Sequence, residues 1–262
     1  MKYCRFVGDD GAQFGQVEER DGVLWMTRLL KSPGSGEETG LEFAPRLLDD
    51  LKLLVPVMPT KIVCVGRNYR DHAKELGNEV PAEPLLFFKP LSSLLEPGGT
   101  ILMPKASARV DYEGELAVII GRRARKLRRD EDLSVYIHGY TLANDVTARD
   151  LQKKDGQWTR AKGFDTFCPV GPVVETALDV DAGLIIETHV NGELCQHGST
   201  ADFIFTLPVL LEYITAAITL EPGDLLLTGT PAGVGPLAAG DVVDVSVPGL
   251  GRLANPVAAD QG

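Results

Sequence analysis

Asp111-Tyr112-Glu113-Gly114-Glu115 runs straight into Leu116-Ala117-Val118-Ile119-Ile120-Gly121. Alternation with period two puts Asp111, Glu113 and Glu115 on one face of a strand. The apolar residues that follow carry that strand into a core. Carboxylates crowded beside a core repel one another and lose hydration, which is costly. A divalent cation bound through oxygen removes both problems. The same run also fits a solvated strand face, with its acidic groups pointing at water.

Outward from this stretch the chain reads as strand-dominated with several short helices, an α+β mixture that is mainly β. Residues 2–27 form short strands broken by turns at Gly8-Asp9-Asp10-Gly11 and Asp21-Gly22. A polar loop covers 31–40, and an apolar stretch from Leu47 to Val57 ends among prolines. A boundary near residue 58 divides a small N-terminal β-rich domain, 1–58, from a catalytic domain, 59–262. Beyond it, 61–66, 85–89, 115–120, 136–143, 184–190 and 242–247 read as strands. Asp71 to Leu76 suits a short helix stopped by Gly77, and 146–153 is expected to be helical. Thr206 can cap a helix with Pro208 in its first turn, and Leu210, Leu211, Ile214 and Ile218 recur at helical spacing, as core or a subunit contact. The charge-rich segment 122–132 reads as a solvated connection.

Composition narrows the class of function. At 262 residues, with a net charge of -11, nucleic acid and anionic membranes are poor partners. An anionic small substrate remains open, because a bound cation reverses the local field. No uncharged apolar run has the length of a membrane span, and the N-terminal residues lack the apolar core of a signal peptide. Cys4, Cys64, Cys168 and Cys195 form no C-x-x-C pair, which fits scattered reduced thiols and a cytoplasmic protein.

The residues that could carry chemistry fall into small groups. Asp145, Arg149 and Gln152 share a face if the chain turns helical after Asn144. A carboxylate, a guanidinium and an amide would then suit a cation and the anionic oxygens of a bound acid. An Asp–Arg pair on a capped surface helix is the plainer reading. His72 and Glu75, three apart, can form an imidazole–carboxylate couple able to take a proton from water, or an ordinary surface pair. His138 reads as core, and His189 and His197 flank a hairpin turn at Asn191-Gly192. Lys162 has no partner that spacing identifies. The turn Gly229-Thr230-Pro231-Ala232-Gly233-Val234-Gly235 could present N–H groups and the Thr230 hydroxyl to a carboxylate. It lacks the Lys-Ser/Thr of a nucleotide P-loop, which argues against ATP or GTP.

Taken in order, these motifs resemble the fumarylacetoacetate hydrolase family. The matching pieces are Lys61-Ile-Val-Cys-Val-Gly-Arg-Asn-Tyr69 with Asp71-His72 and Glu75, Phe87-Phe-Lys-Pro90, Asp111-Tyr-Glu-Gly-Glu-Leu116 and Asn144-Asp-Val-Thr-Ala-Arg-Asp-Leu-Gln152. Lys162-Gly-Phe-Asp-Thr, Val190-Asn-Gly-Glu, Pro222-Gly-Asp and Thr228-Gly-Thr-Pro-Ala-Gly-Val-Gly235 follow. The resemblance implies the family's catalytic β fold, a homodimer, and Mg²⁺ (or Mn²⁺ or Ca²⁺) held by Glu113, Glu115 and Asp145, with Asp111 beside the ion. It implies His72 as base with Glu75 as its partner on a lid, and Lys162, Arg149, Gln152 and Thr230 at the substrate. The longer fumarylacetoacetases carry a further metal carboxylate seven residues before the histidine, where this chain has Val65. The smaller members are the better match, and they imply a 2-oxo acid substrate. Hydrolase or lyase action on an acylpyruvate or oxaloacetate comes first. Isomerisation of 2-hydroxyhepta-2,4-diene-1,7-dioate, or decarboxylation of 5-carboxymethyl-2-oxo-hex-3-ene-1,6-dioate, in aromatic catabolism is the alternative. A catalytically silent scaffold is a remote third.

Overall fold

Leu116, Val118 and Ile120 project into one apolar cluster, and Ala117 and Ile119, between them, project into another. A strand covered on both faces needs no polar side, which is why this run is continuously apolar. The neighbours repeat the division. Val63, Val65 and Leu226 join the first cluster, and Ile62, Cys64, Leu225 and Leu227 join the second. The structure, a computed structural model, describes residues 1–41 and 43–261.

The large mixed sheet runs in the order Arg46–Leu47, Val23–Leu30, Gly11–Arg20, Lys2–Gly8, Cys168–Glu175, Ile137–Asn144, Gly114–Ile120, Leu225–Leu227, Ile62–Gly66 and Leu85–Lys89. The N-terminal strands join it through Lys2–Gly8, which pairs antiparallel with Cys168–Glu175. A five-stranded sheet orders Glu193–Ser199, Ile185–Val190, Val242–Val247, Gly251–Ala259 and Ile101–Met103. A small third sheet sets Val110–Tyr112 between Thr147–Ala148 and Gly235–Pro236. The fold is thus mainly β with short helices, as the sequence indicates.

The α-helices are α1 (Arg70–Glu75), α2 (Arg149–Asp155), α3 (Thr159–Lys162) and α4 (Leu207–Ala217). Helix α4 carries Pro208 in its first turn, and Leu210, Leu211 and Ile214 are buried in the core rather than left for a subunit contact. The Thr206 hydroxyl makes no capping hydrogen bond. Among the described residues no helix is long and apolar enough to cross a membrane. All four cysteines are free thiols.

Candidate active site

Strand pairing assembles the carboxylates. Gly114 lies opposite Asn144 and Glu115 opposite Ala143. That register brings Glu113 beside Asp145, whose N–H donates to the Glu113 carbonyl at 2.8 Å. The Asn144 side chain accepts the Glu113 N–H at 2.9 Å. Glu113, Glu115 and Asp145 are all buried, and each offers an oxygen within 4.8 Å of the others. A solvated strand face is therefore excluded. The expected single strand is in fact two: Glu113 is the joint between Val110–Tyr112 and Gly114–Ile120, which belong to different sheets. Asp111 stands outside the cluster. Its buried carboxylate accepts from Arg109 Nε at 2.7 Å and Arg149 Nε at 2.9 Å.

The helix expected from residue 146 begins only at Arg149, because Thr147–Ala148 is drawn into a strand against Val110–Asp111. Asp145 is consequently not on that helix, and no Asp145–Arg149 pair forms. Arg149 instead donates to Asp111, to Glu113 Oε1 at 2.6 Å and to Gln152 Oε1 at 2.7 Å. Lys162, on α3, gains the partners that its spacing concealed. Its ammonium donates to Glu113 Oε2 at 2.8 Å and Asp145 Oδ2 at 2.6 Å. Lys89 was not singled out from sequence. From the end of an edge strand it reaches Asp145 Oδ1 at 2.6 Å, with a side chain that is 0% exposed. The available signals were a lysine closing the otherwise apolar Leu85–Lys89 and its place in the Phe87-Phe-Lys-Pro90 motif.

The charges are unevenly matched. Burial pushes the Glu113 carboxyl up, but Lys162 and Arg149, the larger of the opposing charges, hold the group well below the usual carboxylate range. Lys162 is shifted the other way. Burial lowers it, and Asp145 and Glu113 more than restore it. Glu115 has too little relief: the Lys162 charge and the Gly229 N–H lower it but do not offset what raises it. Burial, then the charges of Asp145 and Glu113, drive it well above its ordinary value. Its carboxylate accepts the Gly229 N–H at 2.7 Å. A carboxylate only partly compensated beside two others fits a divalent cation, which oxygen donors at this spacing could hold.

His72 on α1 is buried, and Glu75 Oε2 lies 3.5 Å from its Nδ1. That is a close approach without a hydrogen bond. Burial lowers the imidazole pKa below its usual value; Arg149 and Lys162 lower it further, and Glu113 and Glu75 pull it back. The glycine-rich turn does present N–H groups to carboxylates, but to the protein's own: Gly229 to Glu115, and Gly233 to Glu75 at 3.1 Å. The Thr230 hydroxyl donates to the Gly114 carbonyl at 2.9 Å and accepts from Gln196 Nε2 at 2.8 Å.

One cavity of about 350 Å³ collects nearly every residue singled out from sequence. His72, Glu113, Glu115, Asp145, Arg149, Gln152, Lys162 and Thr230 all line it, and Glu75 stands behind His72. Val65 lines it too, an apolar group at the position of the missing carboxylate. His138 instead meets the Tyr3 hydroxyl at 3.1 Å, and His189 and His197 sit on the Ile185–Val190/Glu193–Ser199 hairpin, outside the cavity.

The chain is 48% identical over 199 residues to an oxaloacetate tautomerase of Arabidopsis thaliana, covering 74% of this chain and 89% of that one. It superposes on the crystal structure of a 2-hydroxyhepta-2,4-diene-1,7-dioate isomerase from Mycobacterium marinum with a TM-score of 0.88, at 41% identity and full coverage of both chains. A 5-carboxymethyl-2-hydroxymuconate delta-isomerase from Mycobacterium smegmatis matches with a TM-score of 0.88 at 38% identity, covering 99% of this chain and 100% of that one. Residues 61–258 match the model of the fumarylacetoacetate (FAA) hydrolase C-terminal family, and the chain belongs to that family.

Proposed function

We propose that this chain is a divalent-metal-dependent enzyme that moves a proton on a 2-oxo diacid, as a tautomerase or isomerase. The observation that carries the reading is one cavity in which three buried carboxylates face the buried imidazole of His72. Glu113, Glu115 and Asp145 would hold the ion, and an all-carboxylate set favours Mg²⁺, with Mn²⁺ or Ca²⁺ as alternatives. When bound, the ion supplies Lewis-acid polarisation of the 2-oxo group, which makes the neighbouring C–H acidic. His72, whose pKa burial lowers, removes that proton, and Glu75 behind it steadies the imidazolium. Return of the proton to another atom of the conjugated system completes a tautomerisation or an isomerisation. Arg149 and Gln152 present a hydrogen-bonded donor pair to the substrate carboxylate. Lys162 uses donors on Glu113 and Asp145 and has a further N–H for a developing oxyanion. Thr230 lines the same cavity.

Hydrolysis of an acylpyruvate is the second reading, favoured by the approach of Glu75 to His72, since such a couple could equally deprotonate water. Metal-stripped protein, with and without Mg²⁺, should be given oxaloacetate and acetylpyruvate in parallel, with enol absorbance and pyruvate followed together. Glu113→Ala is the control for catalysis by free Mg²⁺. Enol equilibration that requires both Mg²⁺ and intact Glu113, with no pyruvate, is the expected result. Pyruvate from acetylpyruvate would replace it with the hydrolase reading, and pyruvate from oxaloacetate alone with decarboxylation. Equal rates for wild type and Glu113→Ala would sink the site assignment.

A further inference from the structure

The cations around this cavity are of two kinds. Arg149, Lys162 and Lys89 are already matched with buried carboxylates. Arg67 and Lys153 line the same cavity, and among the described residues neither has a carboxylate partner. Lys153 is exposed and Arg67 half-buried. The cavity therefore carries unspent positive charge on its solvent side.

Arg67 is also held in place. Its φ of 56° is in the left-handed region, which a bulky residue seldom occupies without surrounding constraint. Its guanidinium lies 6.0 Å from the centroid of Trp158. The indole can sit there because Gly66 has no side chain; a Cβ at that position would come within 2.8 Å of the ring. Trp158 packs edge-on against Phe87, with centroids 5.2 Å apart at 70°, and Phe87 lies 5.0 Å from Lys162 Nζ. An aromatic wall thus joins Lys162, among the inner carboxylates, to Arg67 at the outer end.

Resting on the proposed 2-oxo acid chemistry, we infer that Arg67 determines specificity by binding the distal carboxylate of the substrate, with Lys153 as a second, weaker cation. A guanidinium can lie on an aromatic face while its in-plane N–H groups grip a carboxylate. The ligand this arrangement fits is a dianion whose ends are separated by an apolar or unsaturated chain lying along Trp158 and Phe87. An extended dioate meets that description better than oxaloacetate, whose two carboxylates are separated by only a short link.

The test uses Trp158 as its own reporter. Quenching of tryptophan fluorescence is titrated in Mg²⁺ with 2-oxoadipate and with 2-oxohexanoate, two six-carbon 2-oxo acids that differ in the distal carboxylate. The wild type should bind the diacid about tenfold tighter or more, as expected for a partly exposed charge-assisted contact. Arg67→Asn, which tolerates the left-handed backbone, should erase that preference and leave 2-oxohexanoate affinity unchanged. Lys153→Gln, on the surface, should reduce the preference by less. No preference in the wild type, no fluorescence response, or equal loss for both ligands in Arg67→Asn would each overturn the inference. An Arg67-dependent preference in a chain with no Mg²⁺-dependent turnover of any 2-oxo acid would overturn the catalytic reading and leave the distal site standing.

Discussion

Replacing Lys89 with methionine removes an ammonium from a place that water does not reach. Its side chain is 0% exposed and that of its partner Asp145 is 1% exposed. Breaking a buried pair by deleting one member costs about 3–5 kcal/mol, because the survivor is left charged and under-solvated. Asp145 keeps the Lys162 ammonium at 2.6 Å on its other oxygen, which places the loss toward about 3 kcal/mol. For a domain of this size that is a fall in Tm of roughly 6–12 °C. Asp145→Asn alone strands Lys89 and should cost a similar amount. In the double variant neither group is stranded, so the two losses should fall short of additive by about 2 kcal/mol. Urea unfolding followed by circular dichroism, in EDTA, measures all four corners of the cycle, and a thermal scan gives the Tm. An unchanged Tm and urea midpoint in Lys89→Met, or additivity within about 0.5 kcal/mol, would refute the pairing and with it the account of how Asp145 is held.

Three further predictions follow from the same geometry. Mg²⁺ at about a hundred times its Kd should stabilise the wild type by about 2.7 kcal/mol in a thermal scan, and Glu113→Ala should abolish that shift; an undiminished shift would move the metal elsewhere. Because burial lowers the His72 pKa, the acid limb of kcat/KM should lie below the ordinary histidine value of about 6.5. In that same window the unfolded chain binds the proton that the folded chain refuses, so His72 makes stability fall as pH falls. A limb above about 6.5 would contradict the assignment of His72 as base. Asp224 is fully buried; burial raises its carboxyl, but the N–H groups of Glu221, Thr60 and Lys61, with the Lys61 ammonium, lower it below the usual carboxylate value. Its contribution is present above that value and lost as pH falls through the lowered one, so Asp224→Asn should destabilise by about 3 kcal/mol at neutral pH and flatten acid unfolding. Parallel acid-unfolding curves would count against it.

Much of the fold was legible because its signals are local. Alternation, continuous apolar runs and glycine or proline punctuation each act within a few residues, and they located the strands around 62–66, 114–120 and 242–247. The helix after Asn144 was misplaced for a non-local reason: Thr147 and Ala148 gain more as a strand against Val110 and Asp111 than as a first helical turn. Local spacing likewise offered Arg149 to Asp145, whereas its ion-pair partners, Asp111 and Glu113, arrive from a distant strand.

By itself the sequence determined that Glu113 and Glu115 share a face beside a core, that His72 and Glu75 share a helix turn, and that the ordered motifs belong to one family. Only the tertiary structure decided what those groups meet. The pairing of Gly114 with Asn144 sets Asp145 beside the two glutamates. Chain return from other elements brings Lys89 and Lys162 onto the same carboxylates, and Arg67 onto Trp158. Covalent spacing fixes neighbours a few residues apart. The electrostatics of a buried site depends on which distant groups share its low-dielectric space, and only packing settles that.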